Sequence, residues 1–286
     1  RVLFRSTRTP FLVTLGINGI NLVLDPLLIF GADLGVAGAA WATVIAQWIG
    51  AIVFLSLASR GRDRYGLRGA KPVAAEVRAF LRIGRDLAIR SGSLLATFTL
   101  ATAIATRVSD DAVAAHQVLS QVFIFLALAV DALAIAAQAL VGKAVGEEGP
   151  AGSMDLADRL LAVGIVAGAG LALLLVALQP FLGGVFTDDV AVLAQVDAAY
   201  WLLVLIQPLG AVVFVWDGVF IGAGDFAFLA GAMVVSSAVA CGRLLLVLPL
   251  GWGLTGVWWA LVALMIVRML TQGWRRVAAS SPLRLG

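Results

Sequence analysis

The sequence has little of what a soluble enzyme depends on. Only 13% of its 286 residues are charged and 62% are hydrophobic, whereas soluble domains average about 25% charged and about 45–50% apolar. Such an excess of apolar residues indicates surface that faces lipid. A single cysteine, Cys241, excludes an internal disulfide, and a single histidine, His116, excludes histidine-rich metal sites.

Motifs of enzymatic chemistry are missing as well. The sequence contains no Walker motif, no Ser/His/Asp arrangement and no metal-ligand spacing. We therefore predict that the protein is not an enzyme and that it has neither a cofactor nor a resident metal.

Apolar runs dominate the chain. A bilayer core of about 30 Å requires about 20 apolar residues per helix. The fold class predicted from this rule is all-α, a polytopic membrane protein with eight transmembrane helices. The runs lie at residues 10–31, 35–58, 84–106, 112–142, 156–179, 191–221, 227–248 and 252–274.

The basic residues outside these runs fall almost entirely on one side of the membrane. That side receives both termini, the segment 59–85, Lys143 and Arg159, while the opposite side receives only Arg107. The positive-inside rule then predicts that both termini are cytoplasmic, in the inner membrane of the cell. The net charge of +3 is thus a topology signal, and no nucleic-acid partner is expected.

An internal repeat suggests a larger architecture. The stretch G-V-A-G-A-A-W-A from Gly35 aligns with G-L-T-G-V-W-W-A from Gly253, so spans one and two resemble spans seven and eight in parallel topology. If the repeat unit has six spans, the chain corresponds to the last two-thirds of a two-lobe (6+6) transporter. The four N-terminal helices of that transporter are then missing from the chain. The predicted parts are a partial N-terminal lobe (1–58), a cytoplasmic inter-lobe loop (59–83) and a C-terminal lobe (84–286).

A polar cluster lies in the first span. Asn18, Asn21 and Asp25 are three and four residues apart and share one helix face, and Pro26 follows at once. Thr43 lies on the next span. A carboxylate among apolar residues, with amides and a hydroxyl beside it, predicts an intramembrane proton or ion site, with possible Na⁺ binding at Asp25, Asn21 and Thr43. The alternative is that Asp25 caps or pairs near the outer surface.

The later spans also contain polar residues. For Asp131 and Gln138 the alternatives are cavity lining and hydrogen bonding between helices. Asp217, on a stripe with Gln207, lines a cavity or couples an ion, or else caps a helix end. Trp216 could bind flat cations through its ring face. We further expect Arg268 to snorkel to the interface and Arg243 to pair with one of these aspartates.

Several motifs resemble the multidrug and toxic compound extrusion (MATE) family, in particular its DinF-like branch. They are N-x-x-x-D-P-L-L-I-F-G from Asn21, G-V-A-G-A-A-W-A-T-V-I-A-Q from Gly35, A-A-H-Q-V from Ala114, D-A-L-A-I-A-A-Q-A-L-V-G from Asp131 and W-D-G-V-F-I-G-A-G-D from Trp216. The resemblance implies twelve helices in two lobes around a central cavity, with this chain supplying helices five to twelve.

The resemblance also implies roles for individual residues. Asn21, Asp25 and Thr43 match the family's cation and proton cluster, and Asp217 matches an acidic position on helix ten. A family aspartate on helix one has no counterpart in this sequence. The family's sodium-dependent branch has a glutamate on helix seven, where this chain offers Arg90. That difference argues against a sodium site in the C-terminal lobe.

The predicted function is therefore a secondary active antiporter. It would export amphipathic or cationic small molecules in exchange for H⁺, or Na⁺, with protonation of Asp25 as the coupling step. Its partners would be these substrates, the lipid bilayer and the four missing helices. The alternatives are a lipid-linked oligosaccharide flippase of the same superfamily and a non-transporting membrane fragment.

Overall fold

A computed structural model of the chain describes residues 8–60, 73–148 and 150–278. Within these ranges all regular structure is helical, and eight helices are long and apolar enough to cross a membrane. The all-α prediction and its eight spans are confirmed. The helices are α1 (Arg8–Pro26, continued by a π-helical turn, Leu27–Gly31), α2 (Gly35–Arg60), α3 (Ala74–Val108), α4 (Asp110–Glu148), α5 (Pro150–Phe186), α6 (Val190–Gly222), α7 (Phe226–Val247) and α8 (Gly253–Val277).

The chain forms two compact units, Arg1–Val77 and Arg78–Gly286. The division between them falls inside the predicted inter-lobe segment, 59–83. Helix occupies both ends of that segment, since α2 ends at Arg60 and α3 begins at Ala74; residues 61–72 lie outside the described ranges. The predicted domain boundaries remain predictions.

In the first unit, Pro26 changes the course of α1. Proline has no N–H to donate to the Leu22 carbonyl, and directly after it the hydrogen bonding shifts to the wider π pattern. The Ala32 N–H reaches the Leu27 carbonyl at 2.9 Å. Asp33 and Gly35 then adopt left-handed backbone (φ 53° and 52°), which turns the chain into α2.

The predicted repeat has a structural counterpart. Helix α8 begins at Gly253 with φ 57°, as α2 begins at Gly35 with φ 52°. Three residues on, both copies have a glycine in close contact with its neighbours. A Cβ on Gly38 would lie 2.6 Å from the Leu28 carbonyl, and one on Gly256 would lie 3.3 Å from the Val247 side chain.

Helix α6 is the central element of the second unit. It packs against α4, α5 and α8 and contributes to both hydrophobic clusters of that unit. Gly218 lets its backbone approach that of α4, because a Cβ there would lie 2.9 Å from the Ala134 carbonyl carbon. This close contact fixes the positions of the polar residues on the two helices.

We predict that Gly218→Ala destabilises the protein while Gly231→Ala does not. The added methyl group meets α4 backbone at Gly218 and should cost about 1–3 kcal/mol. At Gly231 on α7 nothing lies within 4 Å, so alanine should be neutral or should stabilise the helix by up to about 1 kcal/mol. Thermal unfolding of the purified chain in detergent measures the difference. Equal midpoints for the two variants would contradict the close α4–α6 contact.

Candidate functional site

The first unit brings together three of the residues predicted from its sequence. With its amide oriented to satisfy both neighbours, Asn21 donates from Nδ2 to Asp25 Oδ2 at 3.0 Å and accepts the Thr43 backbone N–H at 3.2 Å. In the opposite orientation Nδ2 lies 3.4 Å from Thr43 Oγ1. Asn18 is exposed and makes no side-chain hydrogen bond within the described residues.

This cluster offers oxygen atoms to a small cation or a proton. Asp25 is half-buried, and one turn earlier the Leu22 carbonyl lacks its usual helical donor because of Pro26. Carboxylate, amide, hydroxyl and carbonyl oxygens are the ligands of hard cations. The arrangement can therefore hold either a proton on Asp25 or a bare cation beside it.

The second unit contains a buried ion cluster around Asp217. Its Oδ2 accepts from Arg90 of α3 and from Arg268 of α8, and its Oδ1 accepts from Gln272 Nε2 at 2.6 Å. Asp217 is only 3% exposed and Arg268 only 2%. The interpretation of Asp217 as a helix-end cap is thus wrong, and so is the expectation that Arg268 snorkels.

The pairing stabilises charges that would otherwise be costly in an apolar interior. Sequence reasoning singled out Asp217 and noticed Arg90 and Arg268, yet it did not connect the three. The sequence did contain a signal for this pairing. Charges of opposite sign lie on three different apolar spans, and each charge needs a partner there.

A cavity of about 560 Å³ lies beside this cluster, lined mainly by α3 and α4. Its walls include Asp131, His116 and Arg268, along with the rings of Phe98 and Phe214. The two interpretations of Asp131 were cavity lining and hydrogen bonding between helices. The structure places Asp131 on a cavity wall. The neighbouring polar residues on α4 that share this wall are Gln117, Ser120 and Gln121.

The remaining predicted residues lie elsewhere. Gln138 is exposed and is not among the residues that line this cavity. Gln207 is buried and donates to the Leu203 carbonyl at 3.2 Å. Trp216 is 4% exposed and stacks on Phe220 with ring centroids 5.3 Å apart, so it contributes to packing and not to the cavity wall.

Arg243 does not pair with an aspartate in the part of the chain that the structure describes. Its guanidinium lies over the Trp252 ring, 5.8 Å from the centroid, and its Nε is buried without a hydrogen-bond partner. The expected ion pair is therefore wrong. A contact with the ring face takes its place.

Comparison with known proteins gives consistent matches. The family model described as MatE matches residues 91–241. The chain is 32% identical over 283 residues to Protein DETOXIFICATION 44, chloroplastic, of Arabidopsis thaliana, covering 99% of the chain and 53% of that relative. It is 29% identical over 280 residues to DNA damage-inducible protein F of Escherichia coli (strain K12), covering 94% and 59%.

A solved structure agrees in fold. It is described as the outward-facing conformation of a multidrug resistance MATE family transporter of the MOP superfamily, and it aligns with a TM-score of 0.76 at 19% identity. The alignment covers 96% of this chain and 63% of that one. The chain spans about half the length of the curated relatives that it matches.

We predict that Asp217→Asn strongly destabilises the second unit. The substitution leaves the buried guanidinium of Arg268 and the half-buried one of Arg90 without their counter-charge, and breaking a buried pair in this way costs about 3–5 kcal/mol. Asp131→Asn is the matched control, because Asp131 forms no ion pair or side-chain hydrogen bond within the described residues and should change stability little. Thermal unfolding in detergent measures both.

A double variant separates charge from packing. Adding Arg90→Gln to Asp217→Asn removes one of the two stranded cations and should recover part of the lost stability. Additive losses in the double variant would show that the cluster does not act as an electrostatic unit.

Proposed function

The chain belongs to the MatE family, and we propose that it contributes eight helices to a secondary active antiporter that exports amphipathic or cationic small molecules. The coupling ion in this proposal is H⁺, with Na⁺ as the second possibility. Membership of the family rests on the match over residues 91–241, and it bears out the resemblance of the sequence motifs. The family match, the multi-pass helical fold and the polar cluster around Asp25 support the transport function.

The observation that carries the proposal is the cluster of Asp25, Asn21 and Thr43. Asp25 accepts from an amide at 3.0 Å and forms no ion pair with a Lys or Arg side chain within the described residues. A carboxylate held only by neutral donors has room for an exchangeable cation. Asp217 differs in this respect, because two guanidinium groups donate to its Oδ2 and Gln272 donates to its Oδ1.

The coupling would be competition for the Asp25 charge. In the ionised state Asp25 attracts a cationic substrate and accepts from Asn21. Protonation removes the charge, weakens the attraction and changes the hydrogen bonds in which Asn21 and Thr43 take part. Regular α-helical hydrogen bonding is interrupted at Pro26 and in the π-helical turn that follows it, so the helix would repack there.

The energetics are sufficient for export. Moving one elementary charge across the membrane releases about 2.3 kcal/mol per 100 mV. Every tenfold accumulation of a neutral substrate requires about 1.4 kcal/mol. For a substrate without net charge, one inward proton can therefore sustain a concentration ratio of more than tenfold. Exchange of one proton for one monovalent cation moves no net charge, and the pH difference alone then drives export, with about 1.4 kcal/mol per pH unit.

The proposed location is the inner membrane of the cell, with both termini of this chain cytoplasmic. The support is the distribution of Lys and Arg outside the spans, with Arg107 alone on the opposite side.

We predict that Asp25→Asn in the intact protein abolishes proton-driven substrate efflux while Asp33→Asn does not. The amide that replaces the Asp25 carboxylate keeps the size of the side chain but cannot alternate between charged and neutral states. Asp33 is a matched control, because it is an exposed carboxylate of the same unit and its left-handed backbone (φ 53°) suits asparagine equally well. Efflux from proteoliposomes, with pH and sodium gradients imposed separately, gives the measurement.

The two gradients also identify the coupling ion. Efflux driven by the pH gradient alone supports H⁺, and efflux driven by the sodium gradient alone supports Na⁺ at the same cluster. Unchanged efflux in Asp25→Asn under both gradients would remove Asp25 from the mechanism. A protein that responds to neither gradient would contradict antiport itself.

A further inference from the structure

Arg243 is a cation without a counter-ion near the end of an apolar helix. It lies on α7, one turn before the helix ends at Val247. Within the described residues it forms no ion pair, and its Nε is buried without a hydrogen-bond partner. An arginine in an apolar span is costly unless another group compensates its charge. The side chain is therefore available for an anionic ligand.

The contact with a tryptophan ring does not replace a counter-ion. The guanidinium carbon lies 5.8 Å from the centroid of the Trp252 ring, and contacts of this kind contribute about 0.5–2 kcal/mol. A ring face leaves the N–H donors of the guanidinium without oxygen acceptors. These donors form a planar fork that matches the oxygen atoms of a phosphate group. The chemistry of the side chain thus favours an oxyanion.

Arg243 lines a small cavity between α7 and α8. Its volume is about 230 Å³, and the other lining residues are Trp252, Thr255, Gly256 and Trp259. Sites for drug-sized molecules typically measure about 300–1,000 Å³, so this cavity suits a smaller group. Thr255 contributes a hydroxyl, and it lies in the first turn of α8, where the helix dipole favours negative charge. None of these lining residues is acidic, so they offer no carboxylate to a cation.

The surroundings of the cavity are typical of a membrane interface. Trp252 and Trp259 are both exposed, and tryptophan rings are enriched where lipid headgroups meet acyl chains. Leu246 on α7 and Leu250 in the turn that follows it are exposed as well. An anion that carries acyl chains satisfies both the guanidinium and this apolar surface, whereas a free anion satisfies only the guanidinium.

We propose that this cavity, the Arg243 pocket, binds the headgroup of an anionic phospholipid, with the phosphate at Arg243 and Thr255 and the acyl chains along the exposed leucines. A zwitterionic phospholipid adds an ammonium group that the guanidinium repels and that no lining carboxylate compensates, and this gives selectivity. An arginine that only snorkels towards the headgroups would not select between the two lipids. The proposal goes beyond the transport function and does not rest on it.

The test measures binding of the first lipid molecule to the purified intact protein in detergent. The probes are palmitoyl-oleoyl phosphatidylglycerol, which is anionic, and palmitoyl-oleoyl phosphatidylethanolamine, which is zwitterionic and has the same acyl chains. Native mass spectrometry during titration with each lipid gives two apparent dissociation constants. We expect phosphatidylglycerol to bind at least about tenfold more tightly. Equal constants would overturn the proposal.

A pair of arginine variants locates the site. Arg243→Gln removes the charge from the pocket and should weaken the binding of phosphatidylglycerol at least about tenfold. Arg107→Gln is the matched control, because it removes the same charge from an exposed side chain at the end of α3 that does not line the pocket. It should leave the constant unchanged. An equal loss in both variants would indicate general attraction between a basic protein and an anionic lipid, and it would contradict the pocket.

Thr255→Val keeps the proposal testable where Arg243→Gln does not fold. Valine has nearly the shape of threonine but lacks the hydroxyl, so phosphatidylglycerol should bind about threefold more weakly or worse. The lipid should also raise the thermal-unfolding midpoint of the unmodified protein more than that of this variant, since tighter binding stabilises the folded state more. Unchanged binding in Thr255→Val would remove the phosphate from this pocket.

Inorganic phosphate distinguishes a lipid from a free anion. A large excess of it should not displace bound phosphatidylglycerol, because the free ion lacks the acyl chains that contact the apolar surface. Displacement would show that the pocket takes a free anion, and it would overturn the assignment to a lipid. The measurement requires no transport, so its outcome is independent of whether the protein is an antiporter.

Discussion

Burying a charge in an apolar interior costs several kcal/mol unless a partner compensates it. In the second unit this constraint determines where three helices meet. Asp217 on α6 accepts from Arg90 on α3 and from Arg268 and Gln272 on α8, so its carboxylate holds α3 and α8 to the central helix.

The two intramembrane aspartates show how the choice of partner sets what a carboxylate can do. Asp217 is paired with cations that are part of the chain and cannot leave, so it stabilises structure. Asp25 is held by an uncharged amide and forms no ion pair with Lys or Arg within the described residues, and the proposed exchange of a proton or cation rests on this difference. A family match alone does not distinguish these roles, because both positions carry an acidic side chain. The difference lies in what surrounds each one.

Backbone geometry positions the helices that carry Asp217 and Asp25. Gly218 and Gly38 remove a Cβ where two helices approach closely, against Ala134 and Leu28 respectively, so the helices on either side keep a fixed rotation and depth. Pro26 has the opposite effect, since it interrupts the regular bonding of α1 next to Asp25. The second unit thus combines a close contact between α4 and α6 with an ion cluster formed by its own side chains. The first unit combines an interrupted helix with a carboxylate that is held by an uncharged amide.

The sequence by itself determined the eight spans, the polar face of α1 and the repeat, because these depend on hydropathy and on spacing along one helix. It placed Asn21 and Asp25 together correctly, since residues four apart share a face. Only the tertiary structure decided the partners of Asp217, the burial of Arg268 and Trp216, and the ring contact of Arg243. Helices that are apolar on every side carry no signal of which face meets which neighbour. A partner on another helix is therefore fixed by packing and cannot be read from the chain.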